Sequence, residues 1–422
     1  MKIGQRFSTV SLLLVAVLMA SACSDADRSG LGDGSLGVVT VSRGEAIQIR
    51  SVSSLDLPDA GARDYIHAVE IAIEDYGPIH GEFSLEMGQA VNDQCSADDG
   101  ERVAEAVLAD ERTVGVIGTS CSTTATTAVP PLTAAGLVVI SMSNTSPLLT
   151  SDLAGNPSVN YQPGYYRTAH NDLYQAEAVS AFLHDTLGPH RAAVVHEGDV
   201  YTQGLAQAFR NAFERHRGAI TDFIEIDAGT TDLAEVSARI AAGEPDALFF
   251  PLTQDTAAEF IEAVRQTGAF EDTVLISADG VLHFSFMELD STRGVYIAGP
   301  DLDFGDNANQ STGMDAARAR ERFAAKTGAP PVRAFWAHAY DATTLLLDAI
   351  TAASRIEGGQ LVIDRAGVRE HLDQVAGYQG IIGDISCDAF GDCGPSKISI
   401  IAHLDPDNPE TAWDNTVHRF SP

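Results

Sequence analysis

Positive charge is what this chain of 422 residues has least of: 26 lysines and arginines stand against 59 aspartates and glutamates. The formal charge of −33 repels nucleic acid and anionic lipid head groups, and it reads as a solubilising surface. Cysteine is scarce, at five, and no two form a CxxC, which argues against zinc or thioredoxin-like chemistry. HExxH and G-x-x-x-x-G-K-[ST] are both missing, so metalloprotease and P-loop signatures are excluded. "GTSCS" at 118–122 lacks the second glycine of a G-x-S-x-G nucleophile elbow. Past the N-terminus, no apolar run reaches the roughly 20 residues of a spanning helix.

What is present starts with an export signal. Lys2 and Arg6 precede "VSLLLVAVLMA", and "ASAC" follows. A charged start, a short apolar run and small residues make a cleavable signal over 1–22. Cys23 at the cleavage point looks like the diacylated cysteine of a bacterial lipoprotein, with 23–45 a flexible polar tether. Membrane contact is then expected through that lipid alone. The other four cysteines are Cys95, Cys121, Cys387 and Cys393. An even number in an exported chain favours disulfides, with three pairings open, and buried free thiols are the alternative.

About 380 residues follow the tether, too many for one compact core, so two lobes are expected. Strand-like runs ("AIQIRSV", "FSLEMGQAV", "RAAVVHEG", "TVLISA") alternate with helical ones ("ARDYIHAVEIAIEDYG", "TQGLAQAFRNAFERH"). That alternation predicts an α/β class of mostly parallel sheets covered by helices on both faces. Ligands of such sheets bind outside the carboxyl ends of the strands. Two bursts of small hydroxyl residues lie there, after Ile117 and after Ile140. Ser122 stands where a helix should start, and helix N-terminal amides favour a carboxylate or phosphate. The plainer reading is that Ser122 and Thr145 cap helices.

The run from Asn92 to Thr150, "NDQCSADDGERVAEAVLADERTVGVIGTSCSTTATTAVPPLTAAGLVVISMSNTSPLLT", resembles the first lobe of type I periplasmic binding proteins. It is most similar to the leucine/isoleucine/valine-binding branch that serves ABC importers. "YRTAHNDLYQAEAVSAFL", "VVHEGDVYTQGLAQAF", "LISADG" and "AYDATTLLLDAI" follow in the family's order, so the resemblance spans about 46–402. It implies two doubly wound lobes joined by a three-strand hinge. Lobe I would be 46–165 plus 301–380, and lobe II 166–300 plus 381–422. It also implies a bridge between Cys95 and Cys121, which leaves Cys387 with Cys393.

By resemblance, Ser122 and Thr145 hold a ligand carboxylate, while Asp279 and the backbone at Ser143 meet its ammonium. Tyr201 packs over the ligand. For Asp279 the alternative is a turn before Gly280, and for Tyr201 ordinary packing; Asp341 reads as structural. The chain departs from the family pattern where pocket aromatics are expected, near Gly61 (with Arg63 and Tyr65 close by) and at Thr253. The implied protein is a non-enzymatic monomer, without cofactor or metal, that delivers an amino acid or related carboxylate to an ABC permease. A sensor lipoprotein is one alternative. A serine hydrolase using Ser120 or Cys121 with His196 and Asp199 is a more remote one.

Overall fold

The computed structural model describes residues 32–56, 61, 63–188, 190–227, 229 and 231–422. The export signal, Cys23 and the first part of the expected tether lie outside these residues. The strands are β1 (Val38–Val41), β2 (Ile47–Ser53), β3 (Leu85–Met87), β4 (Val91–Asn92), β5 (Thr113–Ile117), β6 (Val138–Ser141) and β7 (Tyr165–Arg167). Next come β8 (Arg191–His196), β9 (Ala219–Glu225), β10 (Ala247–Phe249), β11 (Val274–Ser277) and β12 (Tyr296–Pro300). The last are β13 (Ser354–Glu357), β14 (Gln360–Asp364), β15 (Tyr378–Gly380), β16 (Gly383–Ile385), β17 (Ile398–Ala402) and β18 (Thr416–Phe420).

Lobe I is a parallel sheet in the order β3-β2-β5-β6-β7, with β4 also paired to β2. Lobe II runs β18-β17-β12-β11-β10-β8-β9, parallel except at β17 and β18. Every residue of β2, β5 and β6 is buried, as sheets covered on both faces require. In lobe I those covers include α1 (Asp64–Tyr76), α2 (Gly100–Leu108) and α3 (Ser122–Ala134). In lobe II they include α4 (Asp172–Leu187), α5 (Thr202–Arg215), α6 (Leu233–Ala242) and α7 (Gln254–Thr267). After the short α8 (Phe284–Met287) come α9 (Ala316–Thr327), α10 (Trp336–Ala352) and α11 (Arg365–Asp373). Helix α10 is buried almost all round and packs on α1, β5 and β6, so it belongs to the core of lobe I.

The chain crosses between lobes three times: after β7, after β12 and after β16. One buried cation organises the hinge. Arg167, wholly buried, donates through Nε to Asp392 (2.5 Å), through Nη1 to the carbonyls of Asn144 and Ser146, and through Nη2 to Thr150.

Three expected boundaries move. Residues 38–41 are not tether: β1 pairs antiparallel with β14, in a small sheet completed by β13. Lobe I extends to Arg167, because β7 pairs with β6 through that residue. Residues 381–385 also belong with lobe I. The carboxylate of Asp341 in α10 accepts the amides of Ile381 (3.0 Å) and Ile382 (2.9 Å), which binds β16 there. The chain rejoins lobe II at β17.

Candidate ligand-binding cleft

Carboxyl ends of strands from both sheets open onto one cavity of about 700 Å³. On the lobe I side, β5 ends at Ile117 and α3 begins at Ser122. Cys121 is extended at the N-cap, and no side chain caps the first amides. A helix leaves its first amides without intrahelical partners, and here Ser122 and Thr123 of that first turn line the cavity. The preceding turn is fixed by Asp93, whose Oδ2 accepts from Ser120 N (2.7 Å), Ser120 Oγ (2.9 Å) and Cys121 N (3.3 Å). Burial raises the Asp93 pKa despite those bonds. A disulfide joins Cys95 to Cys121 at the same wall, with their Cα atoms 5.1 Å apart. A second joins Cys387 to Cys393.

Ser122 Oγ accepts from Ser146 N (3.4 Å), and Ser143 Oγ donates to the Ser120 carbonyl (2.9 Å). Both serines are on the wall; Thr145 is not. It is 1% exposed, and its hydroxyl has no partner.

The lobe II wall is carried by the loops after β8, β9, β10 and β11. Asp279 is nearly buried, and its Oδ1 accepts from Gln175 Nε2 and from Tyr201 OH, both at 3.0 Å. Burial pushes its pKa up to about 6, and the two hydrogen bonds restrain that rise. Tyr201 thus positions Asp279, and its oxygen also accepts the Gly280 amide (2.9 Å). Thr253 lines the cavity as N-cap of α7, where its amide and hydroxyl donate to Glu197 (2.6 and 2.9 Å). The two walls touch: Thr123 Oγ1 donates to Asp199 (3.2 Å), and Ser146 Oγ to the Val200 carbonyl (2.8 Å).

Sequence reasoning missed three groups here. Arg333 is the only lysine or arginine on the wall among the described residues. Its guanidinium lies 4.9 Å over the Tyr65 ring, and its buried Nη1 has no partner. Arg63, the arginine considered from sequence, is exposed and off the wall. Phe335 lines the cavity beside Arg333. Asp172, at the start of α4, is fully buried with both carboxylate oxygens unpartnered. Burial, then the charge of Asp279, raises its pKa well above the usual range. No motif marks any of the three.

His170, Asp172 and Asp279 could offer a cation one nitrogen and two oxygens within 4.8 Å of one another. The imidazole is already engaged, since His170 Nε2 bonds Gln175 Oε1 (2.5 Å), and burial lowers its pKa to about 4. Asp93, Cys95 and Cys121 also cluster, but the bridge consumes both thiols. The hydrolase residues do not form a nucleophile–base pair. Ser120 Oγ is bonded to Asp93 and to Ser54 N, Cys121 is bridged, His196 Nδ1 accepts from Gly198 N, and Asp199 caps α5.

A model of the periplasmic binding protein family matches residues 58–391. An amino acid binding protein from Pseudomonas aeruginosa is 24% identical over 231 residues, 54% of this chain and 58% of that protein. The match thus spans little more than half of that relative's length. Among solved structures, the leucine-binding protein LivK of Thermotoga maritima superposes with a TM-score of 0.72 at 20% identity, over 86% of this chain and 96% of that one. A solute-binding protein of R. palustris, in complex with 4-hydroxybenzoate, gives 0.69 at 16% identity, over 89% and 97%. The likenesses to these structures show a shared fold. With most of its length matched by the family model and two α/β lobes meeting at a cleft, the chain belongs to the periplasmic binding protein family, with the type I fold.

Proposed function

We propose that this protein captures a small amino acid or related carboxylate between its lobes and delivers it to an ABC importer from outside the cytoplasm. One observation carries the reading: the uncapped N-terminus of α3, with Ser122, shares a cavity with the nearly buried carboxylate of Asp279 on the other lobe. Neutral amides and hydroxyls accommodate a carboxylate without a counter-charge, and Asp279 matches one ammonium through a charge-assisted bond. Ser143, Tyr201 and Thr253 complete the wall. Thr145 contributes only if lobe closure exposes its hydroxyl. No catalytic step, cofactor or metal is needed, and the protein acts as a monomer tethered by lipid at Cys23.

Thermal-shift screening of the purified chain against amino acids, aromatic acids and amides, followed by calorimetry, tests this reading. Stabilisation by at least one α-amino acid, absent with its amide, is expected. A screen in which no carboxylate stabilises the protein overturns it.

A further inference from the structure

The cavity walls differ in charge. Lobe II contributes Glu197, Asp199, Asp227, Asp255 and Asp279 and, among the described residues, no lysine or arginine. Lobe I contributes one carboxylate, Asp56, and one guanidinium, Arg333. A chain that is acidic throughout would place acids on both walls if composition alone decided. Here they gather on one. A cleft lined by one sign of charge focuses the field and concentrates the opposite ion.

A second feature lies deeper. The carboxylate of Asp172 is fully buried without a close hydrogen-bond partner; His170 Nε2 lies 3.9 Å from Oδ1, and one oxygen is within 4.8 Å of an Asp279 oxygen. Buried polar groups are almost always hydrogen-bonded, because leaving one bare is costly. Asp172 itself does not line the cavity, so the charge a ligand meets directly is that of the wall residues.

We infer that the ligand is an amino acid bearing a second cationic group, of the lysine, ornithine or arginine class. Its carboxylate faces lobe I, and its cations face the acidic wall of lobe II. The inference rests on the capture reading above and narrows it. One ammonium suffices for Asp279; Asp255, and Glu197 with its oxygens hydrogen-bonded by Thr253 and Thr256, remain as net negative charge that an aliphatic side chain would leave unbalanced. An acidic side chain would be repelled by the same wall. Arg333 stands on the opposite side with a buried N–H unpaired, so it suits the carboxylate end of the ligand.

Calorimetry on the full chain at neutral pH, with arginine, lysine, leucine, glutamate and agmatine, tests this. Arginine or lysine should bind at least tenfold more tightly than leucine, with glutamate weakest. Raising the salt from about 0.05 to 0.5 M should shrink that preference, because exposed charges are screened. Asp255→Asn, at an exposed position, should lower the arginine-to-leucine affinity ratio. Leucine binding as tightly as arginine would overturn the cationic class and leave the capture reading standing. Agmatine binding as tightly as arginine would keep the cationic class but remove the carboxylate half of the capture reading. If none of the five binds, the cationic class falls, and the wider carboxylate screen decides the capture reading.

Discussion

The two walls of the cleft reach polarity by different routes. Lobe I uses backbone: the open amides of α3 and short hydroxyls at Ser122 and Ser143, on a turn held by Asp93 and the Cys95–Cys121 bridge. Lobe II uses side-chain charge carried after four strand ends, with Asp279 buried deepest. Backbone dipoles fixed by a fold carry no proton and do not titrate. A buried carboxylate does, and its desolvation already shows in the raised pKa of Asp279. The lobe I wall should therefore depend on the integrity of its framework, and the lobe II wall on pH and salt.

Breaking the framework should have the largest effect. Replacing Cys95 and Cys121 together by serine opens a loop whose ends are 26 residues apart. In the chain-entropy model this costs about 3 kcal/mol of stability. Denaturant titration should show that loss, and an unchanged midpoint would mean the bridge does not stiffen the wall. The charged wall is broken at Asp279. Asp279→Asn keeps the shape and removes the charge, and a charge-assisted bond contributes about 1.5–3 kcal/mol. Affinity for the best amino acid should fall roughly tenfold to a hundredfold by calorimetry, with the melting temperature of the free protein not lowered. Undiminished binding would mean that the ammonium sits elsewhere.

The same contrast predicts a pH dependence. The Asp279 pKa is raised to about 6, so in the free protein it is ionised at neutrality and takes up a proton as pH falls through 6. Ammonium binding requires the ionised form. Affinity should hold between pH 8 and 7, then drop about tenfold between pH 7 and 5. In Asp279→Asn that drop should vanish. A profile identical in both proteins would detach the titration from this residue.

What the sequence disclosed follows the same division. The β5–α3–β6 segment is local: apolar β-branched runs give the strands, and Ser122 stands at the helix start that those runs dictate. Arg333 and Phe335 were invisible because long-range packing brings them to the cleft. The carboxylate of Asp64, at the start of α1, accepts the amides of Val332 (2.7 Å) and Arg333 (3.0 Å), which pins their loop from 268 residues away. β1 was hidden for a similar reason: four residues among glycines and serines become a strand only by pairing with β14. Family position placed Thr145 on the wall, yet its hydroxyl is buried away from it. Position in a motif gave the neighbourhood of a residue and not the direction of its side chain.

The smallest expected effect belongs to Ser122→Ala. Its hydroxyl accepts one long bond from Ser146 N (3.4 Å) and is otherwise available to a ligand carboxylate. The neighbouring amides of α3 belong to the backbone and survive the substitution. Losing one neutral hydrogen bond costs about 0.5–1.5 kcal/mol, so affinity should weaken by roughly twofold to tenfold. The loss should be the same at pH 5 and pH 7, because neither the hydroxyl nor the helix amides titrate in the range. Calorimetry at both values separates the outcomes. A loss comparable to that of Asp279→Asn would mean that the hydroxyl, rather than the helix amides, holds the carboxylate. A loss confined to one pH would mean that the two walls are coupled through the ligand and not independent.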